Sequence, residues 1–598
     1  MIKVSDLVFD YLKEQGVTTV FTLTGGGIMH LVDSMGRSGM EYVCCHHEQA
    51  CSIAAQAYGM YGEQMNVCLV TTGPGGTNAL TGAAAAWVDS TPMLFLSGQV
   101  KREDFASLRG VRQFGAQEND IISMAKPVTK YAETVMNPED VLYHLQKAFY
   151  LARHGRKGPV WLDIPLDVQA AMVERDSLRE YDPQSEEQEI FSDMDIAAET
   201  AIGLLEMAER PLILAGQGVM AGGAQEKLRA FAQKSGIPVM ATWRALSIFD
   251  SEEPLFMGSP GLQAPRYSNI LLQGCDVLIV LGSRLDNMIT AFSESHFAFR
   301  ARKIMVDIDS KEMDKLDMPD VTKVHGDAGA FLEALLKKLP EKGGKSYDKW
   351  RTDCMWVKKR FPLRQENQVQ AEGVDLYQAT YAVSECCRED DVIVISSTSR
   401  CNTAGHIAFH HRRGQRTISS MGMGSMGFAI PSAVGAWFAS GKKRVVVIEG
   451  DGSLQLNLQE LQTIRTYGVD ARMFIFNNDG YAAITTMQER NFDGFYVGSN
   501  PQSGVCMPDL ARIAEAYGIP YYRIDRNEEI ETVVKQVMAE QGAVICDIRG
   551  SLKFDEIPKC ISSVNEAGKR VSAYLENPFP FLSEAELEEV YRRILAQG

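Results

Sequence analysis

The chain has 598 residues, 45% of them hydrophobic, which is enough for several domains with buried cores. Its formal net charge of −17 argues against a nucleic-acid partner, and no apolar run is long enough to span a membrane. The twelve cysteines form no CxxC motif and include two adjacent pairs that rarely bridge, so we expect reduced thiols in a cytoplasmic protein.

The first part of the chain predicts a doubly wound parallel sheet. An amphipathic helical pattern, rather than a signal peptide, occupies the N-terminus. Helical and strand patterns then alternate as far as Arg175, so we assign residues 1–175 to the first domain. The predicted strands are Thr18–Leu23, Tyr42–Cys45, Val67–Thr71 and Met93–Ser97. Glycine-rich turns follow the first strand (Gly25-Gly26-Gly27) and the third strand (Gly73 to Asn78).

Glu48 follows the second predicted strand and precedes a helix rich in small residues, so we expect its carboxyl group to be buried. A buried carboxyl has a raised pKa and can be held neutral as a proton donor. The alternative is an ordinary helix N-terminal glutamate that complements the helix dipole. His46 and His47 are adjacent and cannot easily share one metal ion, so we do not predict a metal site there.

Residues 176–190 are polar and charged and predict a linker. The middle domain, residues 191–340, has predicted strands at Pro211–Ala215, Pro238–Ala241, Val277–Leu281 and Lys303–Asp307. Gly216-Gln217-Gly218 and Gly282-Ser283-Arg284 follow two of these strands, but there is no GxGxxG motif. This pattern predicts a nucleotide-fold domain, whose role could be purely structural.

A second linker, LPEKGGK, precedes the third domain, which we assign to residues 350–598. A strand at Val392–Ser396 is followed by a turn in which Met426 stands between glycines. A methionine is unusual in such a turn, although it could simply fill a gap in the core. The tail from Leu552 to Leu582 lacks a regular pattern, and Ser583 to Glu586 fits a capping box that opens a last helix.

The stretch from Arg444 to Tyr481 carries the clearest motif. Its first apolar run, Val445–Ile448, predicts a buried parallel strand that ends in Gly450-Asp451-Gly452. A helical stretch, Leu456–Thr466, leads to a second strand, Met473–Phe476. That strand ends in Asn477-Asn478-Asp479-Gly480.

Two neighbouring parallel strands would bring Asp451 and Asn478 to the same edge of the sheet, where open α/β sheets bind ligands. A carboxylate, an amide oxygen and a nearby main-chain carbonyl form an oxygen set suited to Mg²⁺ that also carries phosphate oxygens. The glycines allow the backbone to approach a diphosphate closely. A glycine-rich turn with no ligand is the alternative for GDG alone.

These motifs resemble those of a known family. GDG, 24 further residues and NN match the diphosphate-and-metal motif of thiamine diphosphate (ThDP) enzymes. HHEQA, TTGPGGTNALTGAAAAWVDSTPMLFLSGQV, KPVTKYA and GRKGPVWLDIPLDVQAA resemble the pyrimidine-binding domain of acetolactate-synthase-like enzymes. The resemblance covers nearly the whole chain. It implies three α/β domains with doubly wound parallel sheets: pyrimidine-binding, central and diphosphate-binding.

The resemblance also implies roles for individual residues. Glu48 would hydrogen-bond the aminopyrimidine ring of ThDP and drive the tautomer that deprotonates the thiazolium carbon. Met426 would wedge under the cofactor, and the Gly424 carbonyl would hold its amino group. The other implied residues are Gly26 and Gln117 as catalytic, Gly73, Asn78, Gly450, Gly452, Ser453 and Tyr481 as cofactor-binding, and Asp451, Asn478 and Gly480 as both cofactor-binding and metal-binding.

In this family Glu48 of one subunit meets the cofactor that Asp451 and Asn478 of its partner bind. The resemblance therefore implies a homodimer as the minimum active unit, with a homotetramer common. Six middle-domain residues match positions that contact FAD in acetolactate synthases: Gly216, Gly261, Gly282, Arg284, Asp307 and Asp327. Relatives often keep this domain and lose the flavin, so the resemblance leaves FAD binding open.

The implied reaction is decarboxylation of a 2-oxo acid, pyruvate being the first choice, with transfer of an acyl-anion equivalent to a carbonyl acceptor. The acceptor region departs from acetolactate synthases. Met288 replaces the second arginine of RFDDRV, Leu166 replaces the lysine of DIPKDVQ, and Met487 replaces a tryptophan after NN. The loop usually written DAFQE is RQFGAQE here, which keeps Gln117 but moves the phenylalanine. A methionine cannot replace the bidentate carboxylate contact of an arginine.

Several functions therefore stay open at this point. The first is a carboligase whose acceptor is not a simple oxo acid, for example a keto sugar. The second is an authentic acetolactate synthase with altered contacts. A non-catalytic ThDP-binding regulator and a flavin redox enzyme of the pyruvate-oxidase type are further alternatives. The presence of Glu48, Met426, Asp451 and Asn478 argues against the non-catalytic regulator.

Overall fold

The fold is built on three large parallel sheets. The computed structural model describes residues 1–186, 189–341, 344–366, 372–553, 556–564, 570–572 and 574–596. Within these residues each large sheet is covered by helices, which confirms the predicted fold class. No helix of the described residues is long and apolar enough to cross a membrane. The domain boundaries stay predictions, and parts of both predicted linkers and of the tail (residues 187–188, 342–343, 554–555, 565–569 and 573) lie outside the described residues.

The first sheet contains the four strands predicted in the first domain, each within two residues of its predicted ends. The strands here are β1 (Ile2–Lys3), β2 (Thr19–Thr22), β3 (Glu41–Cys44), β4 (Asn66–Val70), β5 (Met93–Gln99), β6 (Tyr131–Thr134), β7 (Pro159–Pro165) and β8 (Met172–Val173). The parallel order is β3-β2-β4-β5-β7-β6, and β1 and β8 form a separate antiparallel pair. The helices are α1 (Val4–Glu14), α2 (Met29–Arg37), α3 (Glu48–Gly62), α4 (Pro74–Val88), α5 (Ile121–Ala125), α6 (Val141–Arg153) and α7 (Leu166–Ala170).

The central sheet has the parallel order β10-β9-β11-β12-β13. Its strands are β9 (Pro211–Ala215), β10 (Val239–Ala241), β11 (Val277–Leu281), β12 (Arg302–Asp307) and β13 (Val321–His325). Its helices are α8 (Met194–Met207), α9 (Gln217–Ala221), α10 (Gln225–Ser235), α11 (Arg266–Gly274), α12 (Asn287–Thr290), α13 (Ser310–Asp314) and α14 (Ala328–Lys338). The four predicted strands are present, and the direction of winding reverses between β9 and β11, where such sheets bind ligands.

The third sheet has the order β15-β14-β16-β17-β19-β18. Its strands are β14 (Val392–Ile395), β15 (Arg416–Ile418), β16 (Val445–Gly450), β17 (Ala471–Asn477), β18 (Tyr521–Ile524) and β19 (Val544–Arg549). The helices are α15 (Asp348–Arg360), α16 (Leu363–Glu366), α17 (Leu376–Glu385), α18 (Ser399–Ala408), α19 (Ala429–Ala439), α20 (Asp451–Leu454), α21 (Glu460–Tyr467), α22 (Ala482–Asn491), α23 (Leu510–Tyr517), α24 (Ile530–Ala539) and α25 (Glu584–Leu595). As predicted, β16 and β17 are parallel neighbours, with Gly450 paired to Phe476.

The tail differs from the irregular segment predicted. It contains an antiparallel hairpin, β20 (Ser562–Val564) with β21 (Arg570–Ser572). The tail also attaches to the central domain, because the buried Arg266 of α11 donates hydrogen bonds to the carbonyls of Pro578 and Pro580. The Ser583 capping box is present and opens α25, as predicted.

The first and third sheets share one hydrophobic core. Buried residues of α3 and α19 belong to the same cluster, and the two helices pack closely. A side chain on Gly435 would overlap the backbone of Ala54, so the glycine permits this approach. Counted along the chain, the six parallel strands of both sheets follow the same spatial order. The two halves of the predicted site are therefore carried by equivalent folds.

Candidate active site

The carboxyl ends of β16 and β17 bring Asp451 and Asn478 together, as the motif predicted. Asp451 begins α20 and is 3% exposed. Its Oδ1 accepts the Gly452 amide at 2.8 Å, and its Oδ2 accepts the amides of Asn478 at 2.9 Å and Gly480 at 3.3 Å. Burial raises the pKa of Asp451 to about 6, although these amides favour the charged form. The carboxylate therefore orients the whole turn after β17.

The side-chain oxygen of Asn478 is buried and has no hydrogen-bond partner among the described residues. An unsatisfied buried oxygen beside a carboxylate needs an explanation, and a bound cation supplies one. Asp479 takes up a left-handed conformation (φ 59°) between Asn478 and Gly480, and its carboxylate pairs with Arg549 at 2.5 Å. No cluster of three His, Cys, Asp or Glu side chains offers a metal site in the described chain, so the donor set here is mixed. It fits Mg²⁺.

The turn that carries Met426 is held at its C-terminal end by Ser453 and Asn457, two residues that follow the GDG motif. The Gly427 amide donates to the Ser453 hydroxyl at 2.8 Å, and the Gly427 carbonyl accepts from the buried Asn457 side chain at 2.8 Å. Gly424 (φ 62°) and Gly427 (φ 77°) both need the left-handed region. Ser453, predicted to bind the cofactor, therefore anchors this turn, and Asn457 is an anchor that the sequence reading missed.

Beside Met426, the Ser425 hydroxyl is buried without a hydrogen-bond partner in the described part of the chain. Tyr481 packs its ring on Gly452, where an added side chain would lie 2.5 Å from the ring. Gly450, the first glycine of the motif, would place a side chain 3.3 Å from the Cys401 sulfur. The GDG glycines are thus needed for packing within the protein as well as for close approach of a ligand.

Glu48 is the first residue of α3, is 7% exposed and accepts a hydrogen bond from the Asn78 side chain at 2.9 Å. Two predicted cofactor-binding residues are therefore in direct contact. His47 caps α3, since its Nδ1 accepts the Gln49 amide at 3.1 Å. His46 contacts the Thr463 hydroxyl at 3.1 Å. Both histidines have structural partners.

The two glycine turns of the first domain fit each other. Side chains on Gly25 or Gly27 would overlap Thr71 and Thr72, whereas a side chain on Gly26 would meet nothing within 4 Å. The packing explains the outer two glycines. No contact among the described residues requires a glycine at Gly26, and its predicted catalytic role stays a prediction.

Gly73 lies against Gln117. Gly73 is left-handed (φ 69°), and an added side chain would overlap the Gln117 carbonyl oxygen. Gln117 is itself left-handed (φ 65°) and exposed, which is unusual for a residue other than glycine. The Asn119 side chain donates to the Gly73 carbonyl at 3.3 Å. Gln117 is therefore brought to the same edge of the sheet as Gly26 and Gly73.

Glu118, which the sequence reading missed, organises the loop that carries Gln117. Its buried carboxylate accepts the amides of Ala106 at 2.5 Å, Phe114 at 3.0 Å and Gly115 at 3.0 Å. Burial alone would raise the pKa of Glu118, but these three hydrogen bonds outweigh it and hold the pKa below its usual value. The glutamate directly after Gln117, which matches the last residue of the family loop DAFQE, was the signal available in the sequence.

The central domain contains a cavity of about 330 Å³ at the carboxyl ends of β9, β11 and β12. Four of the six predicted FAD positions line it: Gly282, Arg284, Asp307 and Asp327. Gly216 and Gly261 are not among the lining residues, and their predicted role stays a prediction. A side chain on Gly216 would overlap the Gly282 carbonyl, and a side chain on Gly261 (φ 139°) would overlap the Met288 carbonyl.

The charged side chains around this cavity have both signs, because Asp89, Asp286, Asp307 and Asp327 line it together with five basic residues. Basic side chains from two domains line it: Arg153, Arg156, Lys157, Arg244 and Arg284. Asp307 ends β12, the kind of position from which a carboxylate contacts ribose hydroxyls in nucleotide folds, and burial raises its pKa to about 6. Met288 and Met421 also line the cavity. The cavity therefore extends from the Asp307 carboxylate, at the end of β12, to Met421, in the segment that carries Met426.

The three substituted acceptor positions lie on three different helices. Met288 is on α12 and 40% exposed, Met487 is on α22 and 46% exposed, and Leu166 begins α7. Leu285 (φ 46°) and Ala291 (φ 49°) take up left-handed conformations on either side of Met288, and strain of this kind clusters at functional sites. The acceptor pocket itself stays a prediction.

Three family models match the chain in the order of its sheets. Residues 2–124 match the thiamine pyrophosphate enzyme N-terminal TPP binding domain, residues 198–335 the central domain and residues 398–548 the C-terminal TPP binding domain. Thiamine pyrophosphate is the same compound as ThDP. The fold and the site together thus define a three-domain ThDP-dependent enzyme.

The similar proteins narrow this class. The acetolactate synthase large subunit of Parasynechococcus marenigrum is 32% identical over 94% of this chain and 90% of its own length. The acetolactate synthase isozyme 2 large subunit of Escherichia coli is 31% identical over 90% of this chain and 93% of its own length. Acetolactate synthase 1, chloroplastic, of Zea mays is 30% identical over 91% and 85%. The chain belongs to the acetolactate-synthase-like family of thiamine pyrophosphate enzymes.

Proposed function

We propose that this enzyme decarboxylates a 2-oxo acid, with pyruvate as the first candidate, and transfers the remaining acyl unit to a neutral carbonyl acceptor. The observation that carries the proposal is a complete set of cofactor residues combined with an altered acceptor region. The relatives named acetolactate synthase support the reaction class. Bound ThDP would supply the carbon nucleophile and the electron sink for decarboxylation.

The chain's own residues would divide the work as follows. Asp451, the side-chain oxygen of Asn478 and the carbonyl of Gly480 would hold Mg²⁺. Met426 would support the cofactor from below. Since Asn78 donates to one oxygen of the Glu48 carboxylate, the other oxygen is available to hold a proton at the pyrimidine ring nitrogen.

We also propose a homodimer as the minimum active unit, with a homotetramer as the alternative. Within one chain, the residue of α3 next to the Met426 segment is Gln56, in the middle of the helix, because Gln56 and Ser420 contact the same carboxylate, that of Asp89. Glu48 lies eight residues earlier, about 12 Å along the helix axis. This supports a site in which Glu48 serves the cofactor of a partner subunit.

We place the protein in the cytoplasm as a further proposal. All twelve cysteines are free thiols, and only Cys506 is exposed. Free thiols persist where cellular reductants keep them reduced. Alkylation in freshly lysed cells checks this, because disulfides in the trapped protein would argue for an oxidising compartment.

FAD in the central cavity is proposed because four predicted residues and five basic side chains line it. We expect added FAD to raise the melting temperature of the flavin-free protein, and Arg284→Met to reduce that shift. Arg351→Met, at a surface ion pair outside this cavity, is the matched control. A colourless protein whose stability and activity both ignore FAD would remove the flavin from the proposal.

The altered acceptor region predicts a poor acetolactate synthase. A second pyruvate must desolvate its carboxylate in the pocket, and a hydrogen bond to a charged group contributes roughly 1.5–3 kcal/mol. Losing the arginine at the Met288 position should therefore slow transfer to pyruvate on the order of 10–100-fold. Single-turnover kinetics should show rapid pyruvate decarboxylation but slow acetolactate formation.

Met288→Arg should raise acetolactate output, while Met207→Arg, at an exposed methionine of α8, should not. Incubation with pyruvate and a panel of neutral aldehydes, ketones and keto sugars, with products identified by mass, tests the acceptor class. An efficient wild-type yield of acetolactate would instead identify an authentic acetolactate synthase. Failure to consume pyruvate at all would contradict the proposed donor.

A further inference from the structure

Asp89, which follows α4, is a buried carboxylate that none of the roles above uses. Its side chain is 1% exposed. One carboxylate oxygen accepts from the Gln56 amide at 3.1 Å and from the Ser420 hydroxyl at 2.6 Å. The other accepts the Gly422 amide at 3.1 Å. A carboxylate so far from solvent costs free energy unless it is paired and hydrogen-bonded.

The charge partner of Asp89 comes from the central domain. Arg244 places its guanidinium 3.3 Å from the carboxylate and also donates to the Asp89 main-chain carbonyl at 3.0 Å. Arg244 lines the central cavity, as Asp89 itself does. Side chains from the first domain, the central domain and the diphosphate-binding domain therefore meet at one buried carboxylate.

In the third domain Asp89 accepts hydrogen bonds from Ser420 and Gly422, which lie at the start of the segment that carries Met426. The Ser420 amide donates to the Ser397 hydroxyl at 3.0 Å, and the Gly424 amide donates to the Ser420 carbonyl at 3.2 Å. A side chain on Gly422 would lie 2.8 Å from the Val88 side chain, so the backbone is pressed against Val88 and Asp89. One end of the segment rests on Asp89, and the other rests on Ser453 and Asn457.

We propose that Asp89 is a positioning residue for residues 420–427, the segment that presents Met426, and that Arg244 links this segment to the central cavity. Asp89 would act through Ser420 and Gly422 without touching ThDP. The inference rests on the proposed role of Met426 only for its catalytic consequence. Its structural part, the hold on the segment, can be tested in the protein without cofactor.

The test compares Asp89→Ala with Asp89→Asn in the full-length chain. Asparagine keeps an acceptor for the Gly422 amide, and the Ser420 hydroxyl can accept as well as donate. The side-chain amide that asparagine introduces can donate to Gln56 Oε1, which is buried without a hydrogen bond among the described residues. The Gln56 amide group can rotate so that this oxygen faces position 89. Alanine keeps none of these contacts. Both variants leave the Arg244 guanidinium without its carboxylate partner, so that loss is common to them and the hydrogen bonds make the difference.

Hydrogen exchange of the cofactor-free protein is the first measurement. In Asp89→Ala we expect amides of residues 420–427 to exchange about tenfold or more faster, while Asp89→Asn stays near wild type. Asp391→Ala is the matched control, because Asp391 and Arg444 form an equally buried pair where β14 and β16 begin, at the opposite end of the sheet. This control should lose stability without faster exchange in residues 420–427.

Steady-state kinetics of pyruvate decarboxylation with saturating ThDP and Mg²⁺ is the second measurement. Asp89→Ala should lower kcat about tenfold or more with little change in KM, and Asp89→Asn should restore most of it. If Asp89→Ala does not fold, Ser420→Ala replaces it in both measurements. This variant removes only the Ser420 hydroxyl contact, so it should show faster exchange and lower kcat than wild type, by smaller factors than those expected for Asp89→Ala.

Unchanged exchange in residues 420–427 of a folded Asp89→Ala or Ser420→Ala protein would overturn the proposal. Faster exchange with unchanged kcat would overturn its catalytic part, and so would an equal loss of kcat in Asp391→Ala. If the wild-type enzyme consumes no pyruvate, the proposed donor fails, and the exchange measurement still decides whether Asp89 holds the segment.

Discussion

Asp451→Ala is expected to abolish the rise in melting temperature that ThDP and Mg²⁺ give the wild-type protein. A ligand that binds only the folded state stabilises it by about 2.7 kcal/mol at a concentration 100 times its Kd. The substitution removes a proposed metal ligand. It also removes the acceptor for the amides of Gly452, Asn478 and Gly480, so the turn that offers the other two ligands loses its orientation. Differential scanning fluorimetry over a ThDP series with fixed Mg²⁺ measures the effect.

Two further variants separate metal binding from general damage. Asp451→Asn keeps one of the two hydrogen-bond acceptors in the turn but loses the charge, so we expect it to disturb the fold less than alanine does and still fail to bind the metal. Asp470→Ala changes an acidic residue at the start of β17, where it accepts the Gly542 amide and pairs with Arg472. That variant should melt earlier yet keep the full ThDP-dependent shift. A shift of wild-type size in Asp451→Ala would show that the metal is held elsewhere.

Much of this site could be predicted from the sequence because its signals are local. Strands of the three sheets are short apolar runs that end in glycine-rich or polar turns, and the turn residues follow directly in the chain. Asp451 and Asn478 come from neighbouring parallel strands, so their meeting needs only the strand order. The contact of Glu48 with Asn78 likewise joins the N-terminal parts of α3 and α4, two helices that follow each other along the chain.

The residues that were missed act over long distances in sequence. Asp89 and Ser420 are 331 positions apart, and no spacing rule connects a residue after one helix with a turn in another domain. Asn457 is a single amide within a short helical segment and has no pattern of its own until Gly427 is placed beside it. Gly216 and Gly261 show why a glycine alone is a weak signal. Each lies against protein backbone that would overlap a side chain, and a glycine serves such packing as readily as it serves a ligand.

Glu48→Gln is expected to keep ThDP bound and to lose most turnover. Glutamine preserves the length of the side chain and can still accept from Asn78, so the start of α3 should keep its structure. It cannot release or take up a proton at the pyrimidine ring, and positioned acid–base groups contribute roughly 10²–10⁴-fold to rates. Decarboxylation should fall by about that factor. The ThDP-dependent thermal shift should remain.

Glu63→Gln is the matched control, since Glu63 lies at the other end of α3 and pairs with Arg416. We expect it to retain activity near the wild-type level. Near-wild-type decarboxylation in Glu48→Gln would refute the proton role assigned to Glu48. Loss of the thermal shift would instead mean that its carboxylate is needed for binding.

Mixing the two inactive variants then tests how the site is assembled. If Glu48 of one subunit serves the cofactor bound by Asp451 of its partner, a dimer of one Glu48→Gln chain and one Asp451→Ala chain contains one intact site and one doubly altered site. Random exchange of subunits should therefore restore roughly a quarter of the wild-type sites. If both residues came from the same chain, every site in the mixture would carry one substitution and activity would stay absent. Differently tagged chains can be co-expressed and the mixed dimer isolated by tandem purification. The activity of this mixed dimer then distinguishes the two arrangements.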